Sequence, residues 1–231
     1  MDREAIRAAL TRSDLFAGVD DTGLDAALSE ASWRQVAQGD TLLRQGDPPR
    51  RLYLVGSGLV KMSRLSPGGS ELILRFMGPG DLVGCAAVFL RFPYPAMATV
   101  VGDGVILAWS ATRIAMLMDD HPRIVRNALG IVGSRAHEFV ARLGDLANKR
   151  AEQRIASTLL RMADQTGRRV EDGVEVAFNA PLRDLAEMTS ATYYTVSRAV
   201  SAWKKQGIVD GDRRRIVIKA PHRLFEIAED L

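Results

Sequence analysis

The pattern of apolar and polar positions changes twice along the chain and divides it into three parts. An N-terminal helical stretch ends near Trp33, and after it apolar residues come in short runs cut by glycines. Runs with this spacing are typical of short antiparallel strands in a barrel or sandwich, and glycines supply the permissive backbone that tight turns need. The predicted strands are residues 41–43, 51–55, 59–62, 72–76 and 105–109.

A helical pattern replaces the strands between residues 122 and 150. Apolar residues recur there at alternating steps of three and four, which is the heptad spacing of a coiled coil. The positions are Leu129, Val132, Ala136, Phe139, Leu143 and Leu146. A single amphipathic helix lying on its own domain would show a similar pattern. A seam sustained this far between two domains favours a parallel dimer interface, and we call these six positions the seam.

Residues 182–207 predict two short helices separated by a turn at residues 189–191. Asn179 and Pro181 fit the start of the first helix, and Thr192 fits the N-cap of the second. An apolar stripe marks the inner side of each helix. It consists of Leu182, Leu185, Ala186 and Met188 in the first and of Val196, Val200 and Trp203 in the second.

The outer side of the second predicted helix carries polar and aromatic residues on its first turns: Tyr193, Tyr194, Ser197 and Arg198. A helix-turn-helix protein meets base edges in the major groove with this part of its second helix. Two helices with a tight turn also occur in all-helical proteins that never touch nucleic acid. The next segment favours the DNA reading, because a turn at residues 207–209, arginines at 213–215 and a strand at 216–219 outline a winged helix.

The charge distribution supports that interpretation. Residues 1–148 carry 16 Lys and Arg against 16 Asp and Glu, whereas residues 149–219 carry 14 against 9, a net charge of +5. A basic excess confined to the segment with the helix pair fits a phosphate-binding footprint. The expected phosphate contacts are Thr192, Lys204, Arg213, Arg214 and Arg215.

Composition and motifs exclude several other classes. No apolar run approaches the roughly 18 residues of a membrane helix, and the first four residues are too charged to open a signal peptide, so we expect a cytoplasmic protein. The single cysteine, Cys85, excludes a four-cysteine cluster. We find no paired Ser/His/Asp set, no GxxxxGKS/T or GxGxxG phosphate loop and no His/Cys metal cluster, so we do not expect an enzyme.

Residues 51–61, 69–71 and 78–84 resemble the sensor barrel of the CRP/FNR superfamily of bacterial transcription regulators, and residues 195–198 with 207–209 resemble its helix-turn-helix. The resemblance implies an α+β fold with an antiparallel jelly-roll sensor of the cyclic-nucleotide-binding kind over residues 1–120. A dimerisation helix over 121–149 and a winged helix-turn-helix over 150–231 would follow. It also implies a homodimer on double-stranded palindromic DNA, with RNA polymerase as a partner.

Departures from the family pattern bear on the effector. Cyclic-nucleotide binders of this family carry Gly-Glu-Leu and, further on, an arginine that holds the cyclic phosphate. Here the parallel positions read Gly80-Asp81-Leu82 and Tyr94-Pro95, and Arg91 lies too early, so cyclic AMP is not expected. The oxygen-sensing branch with an iron-sulfur cluster needs several cysteines, so that cluster is not expected either.

The loop at residues 93–95 and the helix at 193–198 are similar to the Dnr and NnrR regulators of denitrification. That branch implies nitric-oxide sensing, in Dnr-type members through haem. No haem motif is present; the candidate ligands are His121, His137, His222, Cys85, Tyr94 and Met97, although a lone histidine is more often a cap or surface residue and a buried cysteine more often core. The predicted sensor pocket comprises Gly80, Asp81, Leu82, Cys85, Tyr94 and Met97.

Other interpretations remain open at this point. A regulator of the same fold could act without an effector or with a cyclic nucleotide. A sensor-only regulatory module, as in kinase subunits with this kind of barrel, would leave the helix pair and the wing without a role.

Overall fold

A computed structural model describes residues 3–66, 68–177, 181–212 and 215–231. The chain forms two compact units. The first comprises Met1–Arg64 with Met77–Glu138, and the second comprises Leu65–Phe76 with Phe139–Leu231. The domain limits predicted at residues 120 and 149 stay a prediction.

Short helices and antiparallel strands build the first unit. Its N-terminal helices are α1 (Arg3–Thr11) and α2 (Asp21–Ser29), with a 3-10 turn at Asp14–Phe16 between them. The strands that follow are β1 (Ser32–Val36), β2 (Thr41–Leu43), β3 (Arg51–Leu65), β4 (Glu71–Met77), β5 (Leu82–Val83) and β6 (Met97–Ser110); most of β4 belongs to the second unit. The remaining helices are α3 (Cys85–Leu90), α4 (Ala111–Asp120) and α5 (Pro122–Asn148), and the part of α5 from Phe139 onward belongs to the second unit.

Strand β6 organises the sheet of the first unit. It pairs antiparallel with β1, β2 and β3, and β3 also pairs antiparallel with β5. Trp109 on β6 is buried, and its indole nitrogen donates to the Ala27 carbonyl at 2.8 Å. The predicted antiparallel sensor domain is therefore confirmed.

Three details of the strand prediction were wrong. The predicted strands 51–55 and 59–62 are one strand, β3, whose register shifts between Val55 and Val60. Gly58 lies there with a φ of 88°, so the glycines bend the strand instead of ending it. Trp33 lies in β1, not at the end of a helix, because Ser32–Val36 pairs with β6. The predicted strand at 105–109 is only part of the longer β6.

Helix α5 agrees closely with its predicted span. Four large apolar residues of the seam are between 47% and 68% exposed in the single chain: Leu129, Phe139, Leu143 and Leu146. Ile124 and Ala128 on the same helix are buried. None of the helices in the described ranges is long and apolar enough to cross a membrane.

The second unit contains the helix-turn-helix and a small sheet. Its helices are α6 (Ala151–Thr166), α7 (Pro181–Thr189), α8 (Tyr193–Lys205) and α9 (Pro221–Glu229). Its strands β7 (Arg168–Val170), β8 (Gly173–Ala177), β9 (Val209–Gly211) and β10 (Arg215–Ile218) form an antiparallel sheet in the order β7-β8-β10-β9. The predicted cap Asn179 and the predicted wing arginines Arg213 and Arg214 lie outside the described residues.

Candidate nucleic-acid interface and sensor site

The turn between α7 and α8 is a helix-terminating motif. Ser190 adopts a left-handed φ of 52°, and the Ala191 amide donates back to the Ala186 carbonyl at 3.2 Å. This is the bonding pattern of a Schellman C-cap, usually built with glycine at the left-handed position. The Thr189 hydroxyl donates to the Leu185 carbonyl at 2.6 Å. The predicted turn at residues 189–191 is therefore confirmed.

Helix α8 begins with the predicted N-cap. The Thr192 hydroxyl accepts a hydrogen bond from the Thr195 amide at 3.1 Å. The cap leaves other amides of the first turn without intrahelical partners, and the helix dipole makes this end favourable for a phosphate. The role of Thr192 as a phosphate contact stays a prediction.

The inner side of α8 is packed as predicted, because Val196, Val200 and Trp203 are all buried. The Trp203 indole nitrogen donates to the Glu152 carboxylate on α6 at 3.1 Å. This bond satisfies the polar group of a buried aromatic residue and holds α8 in one orientation on α6.

The outer side of α8 is open to solvent. Tyr193 is 59% and Tyr194 is 69% exposed, Arg198 is exposed and Ser197 is half-buried. The Arg198 guanidinium carbon lies 5.8 Å from the centre of the Tyr194 ring. The four predicted base-reading residues are thus on the first two turns of one helix, and three of them are free to meet a groove.

Two arginines that the sequence analysis missed hold the C-terminal end of α7. Arg142 donates to the carbonyl oxygens of Met188, at 3.2 Å, and of Ile73 and Leu74 on β4. Arg154 donates to the Thr189 carbonyl at 3.1 Å. Cations are favourable at the carbonyl end of a helix. No local sequence signal marks these bonds, because they join residues far apart in the chain.

Two predicted phosphate contacts that lie within the described residues, Arg215 and Lys204, already have protein partners. Arg215 lies 2.9 Å from Glu175 and 3.6 Å from Asp212, and Lys204 donates to the Gly211 carbonyl. Hydrogen bonds from Arg215 and Arg168 lower the pKa of the Glu175 carboxyl. Arg215 would therefore have to exchange a carboxylate for a phosphate on binding DNA.

In the first unit, the predicted sensor residues fall into two groups. Asp81 accepts from the Gly78 amide at 3.0 Å and forms an ion pair of 3.1 Å with Arg135, a residue the sequence analysis missed. Both charges influence the nearby Cys85 thiol, although burial dominates and raises its pKa. Leu82 is buried, and Gly80 has a left-handed φ of 95°.

Tyr94 stands apart from these residues, because its hydroxyl bonds to the backbone of Arg51 and shares no bonding partner with Asp81. Its ring is buried, and one ring carbon lies 2.9 Å from where a β-carbon on Gly84 would be. Tyr94 also lines a cleft of about 370 Å³ with Leu42, Leu43, Asp47, Pro48, Arg50, Arg51 and Tyr53. None of the other five predicted pocket residues lines this cleft; Met97 is half-buried at the start of β6.

The haem-ligand candidates are not brought together. His121 ends α4, His137 is exposed on α5 and His222 is exposed on α9. Cys85 is buried, and its raised pKa disfavours the thiolate that would bind iron. Within the ranges that the structure describes, no group of three His, Cys, Asp or Glu residues is placed to hold a metal ion.

Comparison with known proteins agrees with this geometry. Residues 33–121 match the cyclic nucleotide-binding domain family, and residues 153–227 match the Crp-like helix-turn-helix domain family. The cyclic AMP receptor protein of Thermus thermophilus is 30% identical over 216 residues, which cover 94% of this chain and 97% of that protein. The CRP-like cAMP-activated global transcriptional regulator of Mycobacterium tuberculosis is 26% identical over 93% of this chain and 96% of its own length.

Solved structures show the same fold. FixK2 from Bradyrhizobium japonicum superimposes with a TM-score of 0.76 at 23% identity, over 85% of this chain and 96% of that one. A sensor of the cyclic nucleotide-binding type, a long helix and a C-terminal helix-turn-helix define a DNA-binding transcription regulator with an effector-binding domain. The chain belongs to the CRP/FNR family of transcription regulators, which bind DNA and act as dimers.

Proposed function

We propose that this regulator forms a homodimer through the seam of α5, reads a palindromic DNA site with α8 of each protomer, and responds to a small effector other than cyclic AMP. The observation that carries the proposal is the division of α8 into a packed side and an exposed side. Val196, Val200 and Trp203 are buried, whereas Tyr193, Tyr194 and Arg198 are exposed.

Arg198 supports guanine recognition. A guanidinium fork pairs with the O6 and N7 atoms of guanine in the major groove, which is the commonest specific contact. Tyr194, Ser197 and Arg198 stand at i, i+3 and i+4, so they reach neighbouring base pairs. The half-site should therefore contain the guanine of a TTG-like core and be less selective at the adjacent pair.

The exposed apolar residues of α5 support the homodimer. Phe139, Leu143 and Leu146 are about half exposed, and with Leu72 and Leu74 they line an apolar cleft of about 130 Å³. Apolar surface of this extent along one helix is costly in water, and a second copy of the helix would cover it. A two-fold dimer would place its two α8 helices about one turn of DNA apart. RNA polymerase is the expected further partner of the DNA-bound dimer.

Tyr94 supports an effector other than cyclic AMP. It stands where nucleotide binders of the family carry the arginine that holds the phosphate, and its hydroxyl is already bonded to the backbone of Arg51. A phenol in this position offers no positive charge to a cyclic phosphate. Two relatives are named for their response to cyclic AMP, so the replacement of the arginine by Tyr94 would be a difference within the family.

Nitric-oxide sensing through haem, with control of denitrification-type genes, stays a prediction from the resemblance to the Dnr and NnrR branch. The described residues do not fit a haem site, because Cys85 is buried with a raised pKa and His137 is exposed on α5. Absorption spectra of the purified protein with added haem, before and after nitric oxide, test it. A protein that leaves haem unbound and shows no nitric-oxide response in DNA binding would contradict the prediction.

Selection from a random DNA pool tests the proposed function. The wild type should enrich a palindrome with a guanine in each half-site. Arg198→Ala should cost about 1 to 3 kcal/mol and relax the choice at that guanine. Arg214→Ala is the contrasting variant: as a predicted phosphate contact it should weaken all sequences alike and reduce the salt slope by about one unit. Enrichment of the same motif by wild type and Arg198→Ala would overturn base reading by α8.

A further inference from the structure

We infer that Tyr194 is a positioning residue that aims the Arg198 guanidinium at guanine through its aromatic face. This inference rests on the proposed base reading by α8. The Arg198 guanidinium carbon lies 5.8 Å from the Tyr194 ring centre, within the range of roughly 6 Å over which a cation is attracted to a ring face. The two residues are four apart on α8, so both belong to one helix and their positions stay adjacent whatever the rest of the molecule does.

The Tyr194 ring is the partner that the described residues provide for the Arg198 guanidinium. Among the described residues, no carboxylate forms an ion pair with Arg198, whereas Arg183 on α7 pairs with Glu187 and Arg215 on β10 pairs with Glu175. An arginine held by a carboxylate must exchange that acceptor for guanine, because the carboxylate occupies the N–H donors. An arginine held by a ring face keeps all five N–H donors available at the edge of the guanidinium plane.

Tyr194 and Arg198 are both exposed, so their contact acts on DNA binding more than on the stability of the fold. Tyr194 is 69% exposed, so the ring adds little to the core of the unit. The ring restricts the rotamers of the Arg198 side chain before DNA binds. Without the ring, the arginine would lose this rotamer freedom only on binding DNA, which would weaken the interaction. We therefore expect Tyr194 to increase discrimination for guanine through Arg198, in addition to its own predicted contact with a neighbouring base pair.

The test measures discrimination, not affinity alone. The probe is the palindrome selected by the wild type, compared with the same DNA carrying 7-deazaguanine, which lacks N7, in both half-sites. An exposed cation–π contact corresponds to about two- to fivefold per half-site, hence to roughly five- to thirtyfold for a palindrome. Tyr194→Leu should reduce the discrimination by this factor, while Tyr194→Phe, which keeps the ring, should stay within about twofold of the wild type.

A double-mutant cycle separates positioning from direct reading. In the Arg198→Ala background, Tyr194→Leu should leave the discrimination unchanged. Additive losses in the double variant, or an unchanged discrimination in Tyr194→Leu alone, would overturn the inference and leave base reading by Arg198 intact. If Arg198→Ala itself leaves the discrimination unchanged, the inference and the proposed base reading both fail. Phe225→Leu is the control, since Phe225 is a similarly exposed aromatic residue on α9, outside the predicted base-reading residues, and it should behave as the wild type.

Discussion

Tyr94 and Arg51 are joined by two hydrogen bonds. The Tyr94 hydroxyl donates to the Arg51 carbonyl at 2.6 Å and accepts from the Arg51 amide at 3.0 Å. One side chain thus replaces the two bonds that a neighbouring strand would make with this residue. The ring fills the space beside Gly84, so the loop carrying Tyr94 is fastened to the start of β3.

Removing the hydroxyl tests the strength of this link. Tyr94→Phe should lower the free energy of unfolding by about 1 to 2 kcal/mol, because the ring still packs while two partly buried backbone groups lose their partner. Denaturant titration measures the loss. Tyr53→Phe is the matched control, since the Tyr53 hydroxyl has no hydrogen-bond partner among the described residues. This substitution should change the free energy of unfolding little. Equal losses in the two variants would contradict the prediction.

Cyclic AMP should not act on the wild type. A ligand stabilises a fold only if it binds that fold. At millimolar concentration, cyclic AMP should therefore neither raise the melting temperature nor increase DNA affinity, since the resemblance to the family predicts that Tyr94 replaces the arginine that holds the cyclic phosphate. The cyclic AMP receptor protein of Thermus thermophilus, in the same thermal scan, is the positive control. A clear rise in melting temperature would show that the nucleotide site is intact.

The sequence predicted those features that depend on neighbouring residues. The span of α5, the Thr192 cap, the turn at Ser190 and the buried side of α8 each follow from spacing within a few residues. The resemblance to the family then supplied the order of the domains. These parts agree with the structure because periodicity and capping are local properties of the chain.

Features built from distant residues were missed. The ion pair between Asp81 and Arg135 joins residues 54 apart, and the bonds from Arg142 join α5 to β4 and to α7. Strands β7 and β8 were missed as well. Each is short, and each is stabilised by pairing with other strands more than by its own apolar pattern.

Alkaline pH should weaken the Tyr94 link. Burial raises the pKa of the Tyr94 hydroxyl above its ordinary value of 10.0. The folded state therefore favours the neutral phenol, so the stabilisation is complete below the unfolded-state pKa and is lost as the pH rises through the folded-state pKa. The stability of the wild type should fall more steeply above pH 10 than that of Tyr94→Phe. The difference between their phenolate absorbance titrations should show a midpoint above 10.0, and a midpoint below this value would contradict the assignment.

The left-handed residue between α7 and α8 offers a stabilising change. Ser190 has a φ of 52°, which costs an L-residue about 1 to 2 kcal/mol relative to glycine, partly offset by the larger entropy of an unfolded glycine. Ser190→Gly should therefore raise the free energy of unfolding by up to about 1 kcal/mol, measured as a higher denaturant midpoint. Ser190→Ala removes the hydroxyl but keeps the strained φ, so it should not stabilise. A gain shared by both variants would show that the hydroxyl, not the backbone, is responsible.

A charge in the seam should abolish the dimer. Leu143 is about half exposed on α5 in the single chain, and at a seam position it would face its own copy in the dimer. Leu143→Asp would then bury two like charges, which costs several kcal/mol, so the variant should be monomeric and lose specific DNA binding. Size-exclusion chromatography with light scattering and a DNA titration measure both effects. Ala141→Asp, on the exposed opposite side of the same helix, should remain dimeric. A Leu143→Asp dimer with full DNA affinity would rule out the seam as the interface.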